Sequence, residues 1–211
     1  MLLTHTNLTR ELQANEWMAS DLHALILSFF EQNVLPQGWV SKSSIDPVRF
    51  KSALPNVMLL EKTQKDDWRF SVVGTGIVNA YGRDFSRSLL SDLNYLPCQN
   101  VYQTMIDACV STRRPHVCIG RMRYPQREFI DTIKTIIPIS GNETDVSHCL
   151  FVLSIERSPD AFVHLYDPTP PNGAYDRLFT ILKRQSTAGD SNWPISFVRE
   201  IQSGDSANSL N

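Results

Sequence analysis

Histidine, serine, cysteine and paired acids are the side chains here that could do chemistry, so their spacing is read first. Asp145, His148 and Ser154 lie close in sequence and invite comparison with an acyl-transfer triad. That chemistry wants its serine on a strained GxSxG turn, and Ser154 sits instead in the apolar run 149–155. His116 and His148 stand near Cys118 and Cys149, which are metal-ligand types. A zinc or haem centre needs several such ligands to converge, and the four cysteines, Cys98, Cys109, Cys118 and Cys149, form no CxxC pair. Asp66 and Asp67 fall in a charged turn, where solvent rather than a substrate claims them. The run GTGIVN at 74–79 imitates part of a dinucleotide fingerprint, but Asn79 stands where the third glycine belongs. Arg113, Arg114, Arg121, Arg123 and Arg127 make a local basic excess that reads as a solvated hairpin. No catalytic residue and no metal ligand is assigned, and the chain reads as non-enzymatic.

The elements that would position these residues follow from periodicity. Residues 1–16 are polar and loosely ordered. From Trp17 to Gln32 the apolar residues Leu22, Leu25, Ile26, Phe29 and Phe30 fall on one helical face. That face predicts either packing on the chain's own sheet or pairing with a partner, including a second copy in a homodimer. Asp46 and Pro47 start a short helix, as N-cap and first helical residue. Residues 57–63 and the alternation of Trp68, Phe70 and Val72 predict two strands joined by a charged turn at 62–67. Gly74 and Gly76 end the second strand, a helical turn closes at Gly82, and a longer helix covers 99–113. Three more strands are predicted at 116–124, 128–138 and 149–155. After Ser158 come the stiff PTPPNG linker at 168–173, a short amphipathic helix carrying Tyr175, Leu178, Phe179 and Leu182, and a polar tail.

With 211 residues and a net charge of -2, one solid core is expected and no global basic field recruits nucleic acid. No apolar run approaches a membrane span and the N-terminus does not read as a secretory leader, so a cytoplasmic setting without membrane contact is the expectation.

The segment 66–93 carries most of the family information. Ile45-Asp46-Pro47, Leu54-Pro55, Trp68-Arg69-Phe70, Val73-Gly74-Thr75 and Tyr81-Gly82-Arg83-Asp84 occur in order after a leading helix. In this the chain resembles a PAS-like family, the mainly alphaproteobacterial PAS_5 group, over about residues 20–157. The departure is at Ser86-Arg87, where the family usually has Thr-Gly.

The resemblance implies an α+β fold: a PAS-like five-stranded antiparallel sheet with short helices on one face, flanked by N-terminal and C-terminal helices. The domain would span 17–158, with linker, helix and tail at 159–211. It implies a sensory or regulatory module that binds an unidentified small molecule or a signalling protein. Pocket-lining positions would be Phe70, Val72, Tyr81, Phe85, Met105, Cys109 and Ile133. The partner or dimer face would be Leu22, Leu25, Ile26, Phe29 and Phe30. Haem-binding PAS domains carry a histidine on the long helix, and helix 99–113 has none. The Asn-Cys-Arg-Phe-Leu run of flavin photosensors is also missing, so neither cofactor is expected. The alternative is an interaction adaptor working through its terminal helices, with the PAS core as scaffold.

Overall fold

Cys149, Phe151 and Leu153 point one way along their strand, Leu150 and Val152 the other, and all five are buried. A strand buried on both faces requires a sheet with a layer on each side. The computed structural model describes residues 21–93, 99–124, 127–156, 175–181, 185–187, 190–192 and 195–202. Residues 1–16, Cys98, the 168–173 linker and Leu182 lie outside the described residues. So do the side chains of Arg121, Arg123 and Arg127.

Helix α1 (Asp21–Asn33) leads to the two-residue β1 (Val40–Ser41) and a short 3-10 helix at Pro47–Phe50. Asp46 caps that helix by accepting from the Val48 N–H at 2.9 Å, with Pro47 at its first position. Strands β2 (Val57–Lys62) and β3 (Trp68–Val73) form a hairpin. Its turn is closed by the Thr63 N–H donating to the Asp67 carbonyl. Helices α2 (Thr75–Tyr81) and α3 (Gln99–Thr112) cross over to β4 (His116–Tyr124), β5 (Arg127–Ser140) and β6 (His148–Glu156). Then come β7 (Tyr175–Ile181), the small hairpin β8 (Gln185–Thr187) and β9 (Asp190–Asn192), and β10 (Ile195–Gln202).

The fold is α+β, with an open sheet in the order β3-β2-β6-β5-β4-β7-β10, antiparallel between all neighbours. Among the described strands only β1 runs parallel, pairing Val40 and Ser41 with Ile139 and Ser140 at the end of β5.

On the inner face lie α2 and α3. Helix α3 buries Val101, Tyr102, Met105, Ile106 and Cys109, a spacing that traces one stripe. Helix α2 starts at Gly74, where an added Cβ would lie 2.3 Å from the Leu54 carbonyl oxygen and 2.4 Å from that of Pro55. Only glycine lets the strand-to-helix turn pass this close to backbone. On the outer face lies α1. Ile26 and Phe29 are buried there, and the Phe29 ring meets Phe50 edge-on at 4.8 Å. Each such side chain contributes roughly 1.5–3 kcal/mol by leaving water. Among the described residues no helix is long and apolar enough to cross a membrane.

Two expectations are corrected. The helix expected at Tyr175, Leu178 and Phe179 is strand β7. Leu178 enters the inner core while Phe179 is buried on the opposite face, the period-two pattern of a strand. The segment after residue 158 therefore adds β7 and β10 to the main sheet, whose antiparallel run has seven strands, not five. Second, Val72 is 47% exposed. Leu59 pairs with Val72 and Leu60 with Phe70, so Ser71 is a bulge residue. The extra residue turns Val72 out and lets Val73 pack on the core.

Candidate functional site

The inner layer is apolar and aromatic at its centre. Phe70 on β3 meets Phe85 edge-on at 5.0 Å and Tyr102 at 6.3 Å. Tyr81 meets Phe85 at 5.4 Å, and Tyr102 meets Phe151 at 5.5 Å. These are the edge-to-face arrangements that ring quadrupoles favour. The two tyrosine hydroxyls bond each other at 2.8 Å, which joins α2 to α3 through a polar contact inside the cluster. Met105 and Cys109 complete the layer from α3. Phe70, Tyr81, Phe85, Met105 and Cys109 are thus brought together in one layer.

Ile133 is not with them. Strand alternation places it on the face of Thr135 and Ile137, under α1, so it is buried on the wrong side of the sheet for an inner pocket. The same alternation puts Thr132, Lys134 and Ile136 on the inner face. Lys134 is fully buried there, with Cys118 and Leu153 as cross-strand neighbours. Its Nζ donates to Thr132 Oγ1 at 2.7 Å, and that hydroxyl donates to the Gly120 carbonyl at 3.2 Å. Sequence reasoning passed over this lysine. The signal was present: Lys134 stands between Ile133 and Thr135 in a strand whose apolar residues occupy both faces.

His116 lies at the β4–β7 seam. Its Nδ1–H donates to the Arg114 carbonyl at 3.0 Å, and Nε2 accepts from Thr180 Oγ1 at 3.1 Å. Burial lowers it to about 4, with the Arg114 charge adding to the effect and the Arg114 carbonyl opposing it. Cys109 and Cys149 touch across the α3–β6 interface, and burial first, then that contact, pushes the Cys109 thiol up. A thiol so placed is a core side chain rather than a nucleophile.

The outer face carries a second polar group. His23 of α1 is fully buried, with Nδ1 2.9 Å from Thr135 Oγ1 and Nε2 2.7 Å from Ser154 Oγ. A neutral ring satisfies both hydroxyls, donating to one and accepting from the other. Burial lowers its pKa to about 3. This pin lies within the helix whose apolar face was expected either to pack on the chain's own sheet or to meet a partner. Ile26 and Phe29 are buried against the chain's own sheet, while Leu22, Leu25 and Phe30 are half-buried beside them.

The triad comparison does not assemble. Ser154 bonds His23, not His148, and Asp145 is exposed. His148 accepts at Nε2 from Lys42 Nζ at 2.9 Å and donates from Nδ1 to Ser147 Oγ at 2.9 Å. Burial and the Lys42 charge lower its pKa against the pull of Glu61. Among the described residues no three metal-ligating side chains cluster. Arg87, standing where the resembled family has glycine, adopts φ 71° and is exposed, so it takes the left-handed backbone without closing over the core. Compared with protein-family models, curated proteins and solved structures, the chain matches none.

Proposed function

We propose that this chain is a PAS-like sensory module that takes a small apolar or amphipathic ligand between the sheet and α2–α3 and passes on a change of shape. The observation that carries this reading is the polar minority inside an apolar inner layer. Lys134, Thr132, the paired hydroxyls of Tyr81 and Tyr102, and the Trp39 indole N–H stand among aromatic and aliphatic side chains. A few placed polar groups in an apolar wall is the composition of a small-molecule site. The element order supports the five-strand PAS-like core: a β2–β3 hairpin, then α2, a short 3-10 turn and α3, then β4-β5-β6. The setting under this reading is cytoplasmic, and the module makes no bonds.

A route for the signal crosses the sheet. Lys134 and Leu153 face inward, and their chain neighbours Thr135 and Ser154 face outward to hold His23. A ligand that moves the inner side chains tilts the same two strands under α1. A signalling protein or a second copy would then read α1 at Leu22, Leu25 and Phe30.

Native mass spectrometry of the purified chain, joined to a thermal-shift screen of small metabolites, tests the reading. The expected result is a bound mass released on denaturation, or a compound that raises the melting temperature in a saturable way. Failure of both removes the ligand and leaves an interaction adaptor. The observation favouring that second reading is β10, an edge strand with an exposed bulge residue at Val198.

A further inference from the structure

Trp39 is 2% exposed and belongs to the inner core, yet among the described residues its Nε1–H has no acceptor within hydrogen-bonding reach. An orphaned buried donor costs about 1–3 kcal/mol, and native folds carry few of them. Its surroundings differ from the rest of the layer. The Arg113 guanidinium lies over the indole at 4.8 Å from the ring centre, bonded to the face and not to the N–H at the edge. Arg113 follows the end of α3, is exposed, and has φ 55°. Its N–H donates to the Cys109 carbonyl at 2.9 Å. Gly38 packs directly beneath it: a Cβ there would sit 2.8 Å from the Arg113 carbonyl oxygen and 3.0 Å from its Cβ. The backbone on both sides of Trp39 and Arg113 is therefore fixed, and only the arginine side chain is free to swing. Leu35, whose N–H donates to the Trp39 carbonyl, and Val110, three residues before Arg113, are partly buried apolar neighbours of the same core.

We propose that Trp39 and Arg113 form the polar end of a binding site for a small carboxylate with an apolar body. One carboxylate oxygen accepts from the indole N–H, the other from the guanidinium, and the apolar remainder lies along Leu35 and Val110. Two donors of this kind, one neutral, buried and fixed, one charged and movable at the surface, match a carboxylate in both charge and acceptor count. Arginine acts as the cover of the site as well as its anchor, since it lies over the indole face and turns from the ring to the carboxylate. The inference deepens the sensory reading above and rests on it.

The test is a titration of the 211-residue chain with phenylacetate and hexanoate against their matched alcohols, 2-phenylethanol and 1-hexanol, followed by thermal shift and Trp fluorescence. The expected result is a saturable stabilisation by an acid and none by its alcohol. In Trp39→Phe and in Arg113→Gln the acid is expected to bind at least about tenfold more weakly. The inference is overturned if neither acid stabilises the wild type, or if Arg113→Gln binds the acid as the wild type does. Equal stabilisation by acid and alcohol would overturn the carboxylate assignment while leaving small-molecule sensing intact. Exposed Arg113 keeps the test decisive should the core substitution fail to fold.

Discussion

Arg87 holds a left-handed backbone, φ 71°, while its N–H donates to the Phe70 carbonyl at 2.6 Å to fasten the 86–90 segment along the edge of β3. A side chain in that region costs about 1–2 kcal/mol, of which glycine's larger unfolded-state entropy returns part. Arg87→Gly is therefore expected to stabilise the chain by up to about 1 kcal/mol, read as a higher urea midpoint with an unchanged slope. Gly74 gives the opposite case. Its φ of -66° suits any residue, but a Cβ would meet the Leu54 and Pro55 carbonyls at 2.3 and 2.4 Å, and backbone cannot step aside as a flexible side chain does. Gly74→Ala should cost about 1–3 kcal/mol or more through overpacking. An unchanged urea midpoint would show that the α2 entry turn is looser than its geometry.

At the scale of elements, α1 is the informative case. Apolar periodicity alone assigns its face, but the face is held to the sheet by a buried imidazole as well as by Ile26 and Phe29. His23→Leu should cost about 2–4 kcal/mol, because it strands the hydroxyls of Thr135 and Ser154 in a buried interface. Adding Thr135→Val and Ser154→Ala to that background should restore much of the loss, since apolar partners on both sides need no hydrogen bond. Denaturant melts of the single, double and triple variants, with limited proteolysis of α1, would check it. The helices and strands β2 to β6 were legible because each has a clean period and a marked end: Asp46-Pro47, Gly74, Gly82 and Pro115; the two-residue β1 is too short to carry a period. What escaped reading had a tertiary cause. The Ser71 bulge inverts Val72, and no local residue announces it. Ile133 sits in β5, where both faces are apolar, so alternation alone gives no clue to which face is inner. Strand β7 was misread because YDRLF satisfies a helical spacing as well as a strand, and pairing with β4 decides between them. One consequence is practical: removing residues 172–211 would strip β7 and β10 from β4 and leave Leu178's place in the core empty. Loss of partner binding in such a truncation would then report lost stability as readily as a lost docking site.

For the molecule as a whole, the three histidines among the described residues face the same proton balance. His23 is lowered to about 3, His116 to about 4, and His148 below its ordinary value, in each case chiefly by burial. Each stays neutral in the fold and takes up a proton on unfolding once the pH is below the ordinary histidine value of about 6.5. Below that point the unfolded state binds more protons, so stability falls as pH falls. Above it the folded and unfolded chains hold the same histidine protons and the stability is complete. The loss continues down to the folded pKa, about 4 for His116 and about 3 for His23. Each of these two contributes a slope of up to about 1.4 kcal/mol per pH unit, so together they remove about 4 kcal/mol between neutral pH and about pH 5. That is a large share of the 5–15 kcal/mol typical of a folded domain. Urea midpoints measured from about pH 7.5 to about pH 4.5 should therefore be flat at the upper end and drop steeply below about 6.5. His116→Gln, which leaves α1 untouched, should shallow the drop by close to half. A flat profile down to about pH 5 would mean that the imidazoles of α1 and the β4–β7 seam are reached by water, and that neither the contact of α1 with the sheet nor that of β7 with β4 is held in the way the geometry requires.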